Sequence, residues 1–303
     1  MEDCIMKRKY ENLAKEIPIQ GRAGNIKLGA VLDKSFFDWD SISVRYALVD
    51  GCGIIPEETE KQHTHDYDQL LFFLSSDPED MLNLGAELEV DLGLGGIRHR
   101  IVIPYAVVIP KGTPHFSPIV NSVGRPFFYL AVSCTGEMKA NISDENAEPG
   151  AGPWSKFFGE FSNNMKHLTF SANNPYHYGS ERSQTSGGVS THVNSSATGL
   201  PLTLTWSTIH RPHNLGPWGA DGKHHPHVHQ EQDELFLFLS LDQDGLTELR
   251  GTADFCVGED GEDQEHYLLT KASAMVMKKG TYHLPLTFTE VNKPMVFVTL
   301  SNH

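Results

Sequence analysis

His227 and His229 stand two residues apart in the stretch Lys223-His-His-Pro-His-Val-His-Gln-Glu-Gln-Asp-Glu234, and Glu234 opens the apolar run Leu235-Phe-Leu-Phe-Leu239. In an extended chain, residues two apart point to the same face, so both imidazoles can aim at one point. The run after Glu234 reads as a buried strand. Two imidazoles and a carboxylate arriving from adjacent strands make most of a transition-metal site. A fourth donor is expected downstream, and His283, after the turn Lys278-Lys-Gly-Thr, supplies it. Three or four protein donors leave positions open on a six-coordinate ion, where a small molecule is polarised or O₂ is activated beside it.

His227-x-His229-x4-Glu234 followed by Gly280-x2-His283 resembles the two signature motifs of the cupin superfamily. The resemblance implies that the three His and the Glu bind a metal inside a small β-barrel. It implies a divalent transition metal, with Fe or Mn favoured and Zn, Ni or Cu left open. Lys278 stands where the second motif usually has Pro; that position shapes the turn and is not a ligand. The first half of the chain repeats the pattern. His63-Thr-His65-x3-Gln69 and the run that follows it parallel His227 through Leu239, and Pro110-Lys-Gly-Thr-Pro-His115 parallels Lys278 through His283. Arg125-Pro126-Phe-Phe-Tyr-Leu likewise parallels Lys293-Pro294-Met-Val-Phe-Val. An internal repeat of this length indicates two modules of one kind.

The two sites differ at one position: Gln69 stands where Glu234 stands. An amide oxygen brings a dipole where a carboxylate brings a full charge, so the second site is expected to hold its ion more tightly. Coulomb attraction less desolvation leaves a net difference of about 1–3 kcal/mol, roughly tenfold to hundredfold in affinity. Asp68, next to Gln69, points outward if His63, His65 and Gln69 point inward.

The elements that must position these residues are short strands punctuated by Gly and Pro, and no helical periodicity competes with them. In the first half they are expected at residues 41–49, 69–74, 85–92, 97–102, 105–109 and 126–133. In the second they are expected at 235–239, 251–257, 265–270, 274–277 and 294–300. Glu57-Glu-Thr-Glu60-Lys is a polar approach to the first motif. The fold class is all-β: two tandem cupin-type jelly-roll barrels, an N-terminal module over 1–145 and a C-terminal module over 146–303. A short helix or arm precedes them, and a polar linker lies near 137–152.

Composition narrows the partners. Lys plus Arg number 24 against 39 Asp plus Glu, a net charge of −15. That excludes phosphate-backbone recognition and attraction to an anionic membrane surface. A small anionic substrate remains admissible, because an ion supplies positive charge locally. The expected partner is a small-molecule substrate, with no nucleic acid and no membrane; a homo-oligomer is left open. The first residues carry no apolar signal core, no run approaches a membrane span, and the four cysteines form no CxxC pair, so the expected location is cytoplasmic, with reduced thiols. His99, His167, His177, His192, His210, His213, His266 and His303 lack a partner motif and read as structural or solvent-exposed. His224 and His225 read as loop residues before the motif. Arg45, in a barrel strand opposite Thr205 of the repeat, is a candidate for binding a substrate carboxylate. The favoured function is oxygenase-type chemistry at the second site. The alternatives are a non-catalytic storage or sensing bicupin and a non-oxidative decarboxylase or isomerase.

Overall fold

The computed structural model of the chain describes residues 9–57, 59–92, 98–142, 158–160, 190–193, 198–215, 225–259 and 263–302. They are almost entirely antiparallel strands, grouped into two units. One unit holds a six-stranded sheet in the order Phe158–Glu160, Tyr105–Ile109, Gln69–Ser75, Phe127–Ser133, Ser43–Val49, Ile26–Leu32. Its second sheet runs Gly53–Ile54, Ile119–Val123, Ala86–Asp91, Arg98–Ile101. Leu71, Phe73, Tyr129 and Ala47 from the first sheet and Leu88, Val90 and Val120 from the second meet in one apolar core. This is the expected outcome of strands whose inward positions are aliphatic or aromatic, since two sheets must bury those faces against each other.

The other unit repeats the plan. Its six-stranded sheet runs Ala14–Glu16, Ser273–Met277, Glu234–Ser240, Met295–Asn302, Leu202–Ile209, Ser190–Val193, and its four-stranded sheet runs His213–Leu215, Tyr282–Val291, Glu248–Gly258, Gln264–Lys271. Phe236, Phe238, Phe255, Phe288 and Phe297 are the large side chains of its core. Gln69–Ser75 and Glu234–Ser240 are buried along their whole length, which is why both read as unbroken apolar runs and not as alternating ones.

Of the expected N-terminal helix or arm, the described residues from 9 to 17 form an arm. Glu11–Leu13 is a single 3₁₀ turn. Ala14–Glu16 is a strand paired with Met275, Ala274 and Ser273, and the Ile17 N–H continues the pairing to the Ala272 carbonyl at 2.8 Å. A helix this short has little stability of its own. The open edge of Ser273–Met277 offers backbone partners instead. The segment up to Ile17 therefore belongs to the unit that contains Thr203–His303. Strands Ile119–Val123 and the long Tyr282–Val291 were not expected as such; the first follows His115, the second contains His283, and each is an inner strand of its four-stranded sheet. The expected hairpin turn at 93–96 lies outside the described residues, as does most of the expected linker at 137–152. Among the described residues no helix is long and apolar enough to cross a membrane.

The core also forms the floor of the second set of motif residues. The Phe236 ring centroid lies 5.5 Å from that of His283 and 5.0 Å from that of Phe255, and Phe236 stacks on Phe297 at 5.8 Å. Phe236→Ala is expected to cost about 3–5 kcal/mol in denaturant unfolding and to weaken metal retention by freeing the His283 ring. A loss below about 1 kcal/mol would mean that this floor relaxes around the gap.

Candidate metal centres

Each barrel joins its two motifs through backbone before any side chain is involved. His227 and His283 exchange both backbone hydrogen bonds, at 3.0 and 2.9 Å, and His63 and His115 do the same at 3.0 and 2.9 Å. One turn further on, Gly280 N–H donates to His229 O and Gly112 N–H to His65 O, each at 2.8 Å. Both glycines have positive φ, +82° and +77°, the conformation that lets Lys278–Thr281 and Pro110–Thr113 close as tight turns. Thr281 N–H reaches Lys278 O and Thr113 N–H reaches Pro110 O at the same 3.0 Å. Lys278 thus serves where Pro was expected, because the turn needs the carbonyl of this first position, and its ammonium in addition pairs with Asp233 at 3.3 Å.

Asp68 points outward as the alternation requires, and it has a task there. Its Oδ1 accepts from Lys111 N–H at 2.8 Å, and Asp233 does the same for Lys279 N–H at 2.8 Å. In both barrels the aspartate before the third motif position, Gln69 or Glu234, thus ties the first motif to the second motif's turn.

In the second barrel the donors converge closely. His229 Nε2 lies 3.1 Å from His227 Nε2 and 3.2 Å from Glu234 Oε2, and His283 Nε2 lies 3.2 Å from the same oxygen. Donors bound to one ion at about 2.0–2.2 Å are roughly 3–4 Å apart. His283 is oriented by its Nδ1, 3.0 Å from the Thr281 carbonyl, which turns Nε2 inward. Burial pushes the Glu234 carboxyl up, but hydrogen bonds from His229 and His283 outweigh it and hold the group well below the usual carboxylate range. Three imidazole nitrogens and an ionised carboxylate turned to one point fit a divalent transition metal.

In the first barrel His63, His65 and His115 form the matching cluster. The Nδ1 atoms of His63 and His115 lie 2.8 Å from Lys61 O and 2.9 Å from Thr113 O, so their Nε2 atoms face inward. Gln69 is on the inward face; its amide nitrogen donates to Ser133 Oγ at 3.3 Å, and its oxygen is buried without a hydrogen bond. This centre is closed: the three histidines are 0–2% exposed, whereas the His229 side chain is 22% exposed. Tyr67 stacks flat on His65 at 4.6 Å and so belongs to the site wall.

Three further residues bear on the sites. Arg45 lies on the same strand face as the core residues Ala47 and Val49, and its guanidinium donates to the Pro56 carbonyl at 2.7 Å. Glu57 had read only as part of a polar approach. Its side chain is fully buried, with Oε1 accepting from Tyr129 Oη at 2.7 Å and Oε2 3.7 Å from His63 Nε2. No periodicity marked it, and only its distance from His63 in the fold reveals it. His266, read as structural or exposed, groups with Asp254 and Cys256 on the sheet surface. Its Nδ1 lies 3.0 Å from Asp254 and 3.5 Å from the Cys256 sulfur. Burial and the Asp254 charge push that thiol up to about 12. His213 stacks on Phe288 and is held to Arg211 O. Trp206 is core, and His224 and Trp218 lie outside the described residues.

No family model and no curated protein matches the sequence. Solved structures do match the fold. A Lactobacillus farciminis oxalate decarboxylase in its formate complex aligns over 98% of this chain and 88% of its own, with a TM-score of 0.58 and 11% identity. A Bacillus subtilis oxalate decarboxylase structure at pH 4.6 aligns over 98% and 77%, with a TM-score of 0.58 and 12% identity. The chain has the bicupin fold. At this identity the likeness establishes architecture and nothing finer. The donor geometry of this chain stands independently of it and can be checked directly. His229→Ala should lower metal content by one ion per chain after purification in Mn(II), with far-ultraviolet circular dichroism unchanged. Unaltered stoichiometry would mean that these four donors do not share an ion.

Proposed function

We propose that this protein is a metal-dependent lyase that decarboxylates a small dicarboxylate at the second centre, with His227, His229, Glu234 and His283 holding Mn(II). One observation carries the reading: four donors converge there, and His229 keeps that centre in contact with solvent while the first centre is closed. Support for the reaction class comes from the solved structures that share the fold. They are oxalate decarboxylases, and one of them concerns the Mn(II) centres of the Bacillus subtilis enzyme. This favours the non-oxidative alternative over the oxygenase chemistry expected from the motifs alone.

Bound at these donors, the ion would supply a Lewis-acidic positive charge for a substrate carboxylate. In a chain of net charge −15 that local charge is what admits an anion. The protein's own contribution is orientation and exclusion. Thr281 O fixes the His283 ring, the Asp233 cap fixes the turn that carries it, and Phe236 and Phe255 form a dry floor. For oxalate, the bond between the two carboxyl carbons breaks, one carboxyl group leaves as carbon dioxide, and a proton takes its place to give formate. The net reaction requires no oxidant.

The test is to incubate the Mn(II)-loaded protein with oxalate and then with longer dicarboxylates, following product acid, carbon dioxide and oxygen together. One carbon dioxide per substrate consumed is expected, without net oxygen uptake, and His229→Ala should abolish it. Oxygen uptake in proportion to substrate would overturn decarboxylation in favour of an oxygenase.

A further inference from the structure

The two barrels share their backbone scaffold down to single hydrogen bonds, yet the first carries an amide where the second carries a carboxylate. Two imidazoles of the first centre still turn their Nε2 atoms inward. A divalent ion surrounded only by neutral donors in a closed, buried pocket would be poorly balanced, because a buried charge needs an opposite charge beside it.

The first barrel contains such a charge, delivered from another direction. Glu57 precedes His63 on the segment that leads into the first motif, and its side chain is fully buried. Its Oε2 stands 3.7 Å from His63 Nε2, the inward-facing nitrogen, since Nδ1 is held by Lys61 O. Two donors each about 2.1 Å from one ion can be as much as ~4.2 Å apart; at 3.7 Å the carboxylate is within that distance of His63 Nε2 but stands outside the cluster that His63 forms with His65 and His115, so it would sit on the His63 side of an ion as its counter-charge. The group is fixed twice. Tyr129 donates to Oε1 at 2.7 Å, and Arg45 holds the carbonyl of the preceding residue, Pro56, at 2.7 Å.

The internal repeat gives independent support. Counting from Arg125-Pro126 and Lys293-Pro294, the position of Tyr129 is taken in the second barrel by Phe297, and the position of Arg45 is taken by Thr205. Phe297 has no hydroxyl to donate, and Thr205 cannot reach as a guanidinium does. Among the described residues, the barrel that has Glu at the motif does not repeat these two fittings, and the barrel that has Gln at the motif has them. From this we infer that Glu57, held by Tyr129, is the anionic group of the first metal centre and replaces there the charge that Glu234 provides in the second. The inference rests on the reading of the histidine clusters as metal centres, but not on the reaction proposed at the second one.

On this basis the affinity gap expected from Gln69 against Glu234 narrows, and Glu57 is the residue whose removal reopens it. The experiment uses the full chain carrying His229→Ala, so that the second centre is disabled, and measures Mn(II) binding alone. Free ion is followed by electron paramagnetic resonance in competition with a chelator, and no substrate is present. Glu57→Gln should weaken binding by roughly tenfold to hundredfold, the range for losing one ligand charge. Tyr129→Phe should weaken it in the same direction by less. Adding Gln69→Glu to Glu57→Gln should restore it, and the gain from Gln69→Glu should be larger in that background than in the parent, because only there is the centre without a carboxylate; a merely structural role for Glu57 would give equal gains. Parent-like binding by Glu57→Gln, a Gln69→Glu addition that restores nothing, or a parent that binds no Mn(II) would each overturn the inference. Activity does not enter the readout, so a failed decarboxylation assay leaves this result standing, and the reverse also holds.

Discussion

The pair of backbone hydrogen bonds between the first and last motif histidines is the constraint from which both sites follow. His63 with His115, and His227 with His283, are locked at the peptide level, so the imidazole spacing is set before any ion arrives. The positive-φ glycine lets the turn fold back, its N–H secures the second histidine's carbonyl, and an outward aspartate caps the turn. None of these contacts needs a metal. A site built this way presents its donors with little reorganisation on binding, which is the condition for both affinity and defined chemistry.

Upon this shared frame the two barrels place charge and access differently. One collects its carboxylate from the motif strand and keeps one imidazole at the solvent; the other shuts its three imidazoles away, with Tyr67 on one side and Glu57 on another. Duplication preserved the scaffold and left the chemistry free to diverge, as expected when function resides in a few side chains grafted on a fold.

Much of this was legible in the sequence, for identifiable reasons. The paired motif histidines could be read because strand alternation puts residues two apart on one face, the other donors because they repeat a known motif pattern, and the strand positions because their inward residues are apolar without interruption. Gln69 against Glu234 was visible as a single-letter difference in a repeat. Glu57 was not, because it sits in a run of acidic residues whose local pattern suggests solvent. Its burial depends on a tyrosine from a strand far along the chain and on an arginine that holds the carbonyl of the residue before it. The role of Asp68 was half legible: its direction followed from alternation, but the amide it caps belongs to a turn more than forty residues later. The N-terminal segment could be read as a helix or an arm, but its strand pairing could not, because nothing local announces that a sheet edge needs a partner.

That arm has a consequence for how the chain is threaded. The first strand made, Ala14–Glu16, pairs with one of the last, Ser273–Met277, and the whole of the other unit's main sheet lies between them in sequence. The modules are therefore consecutive in motif order but not in chain order. No single scission between them would yield two complete barrels, since the piece carrying the first would keep an edge strand of the second. During synthesis Ala14–Glu16 has its partner strand only once Ser273–Met277 has been made, and this pairing closes the longest loop between paired strands among the described residues. Such a closure costs only slowly growing entropy with length, but it makes the completion of the second barrel a late, long-range event.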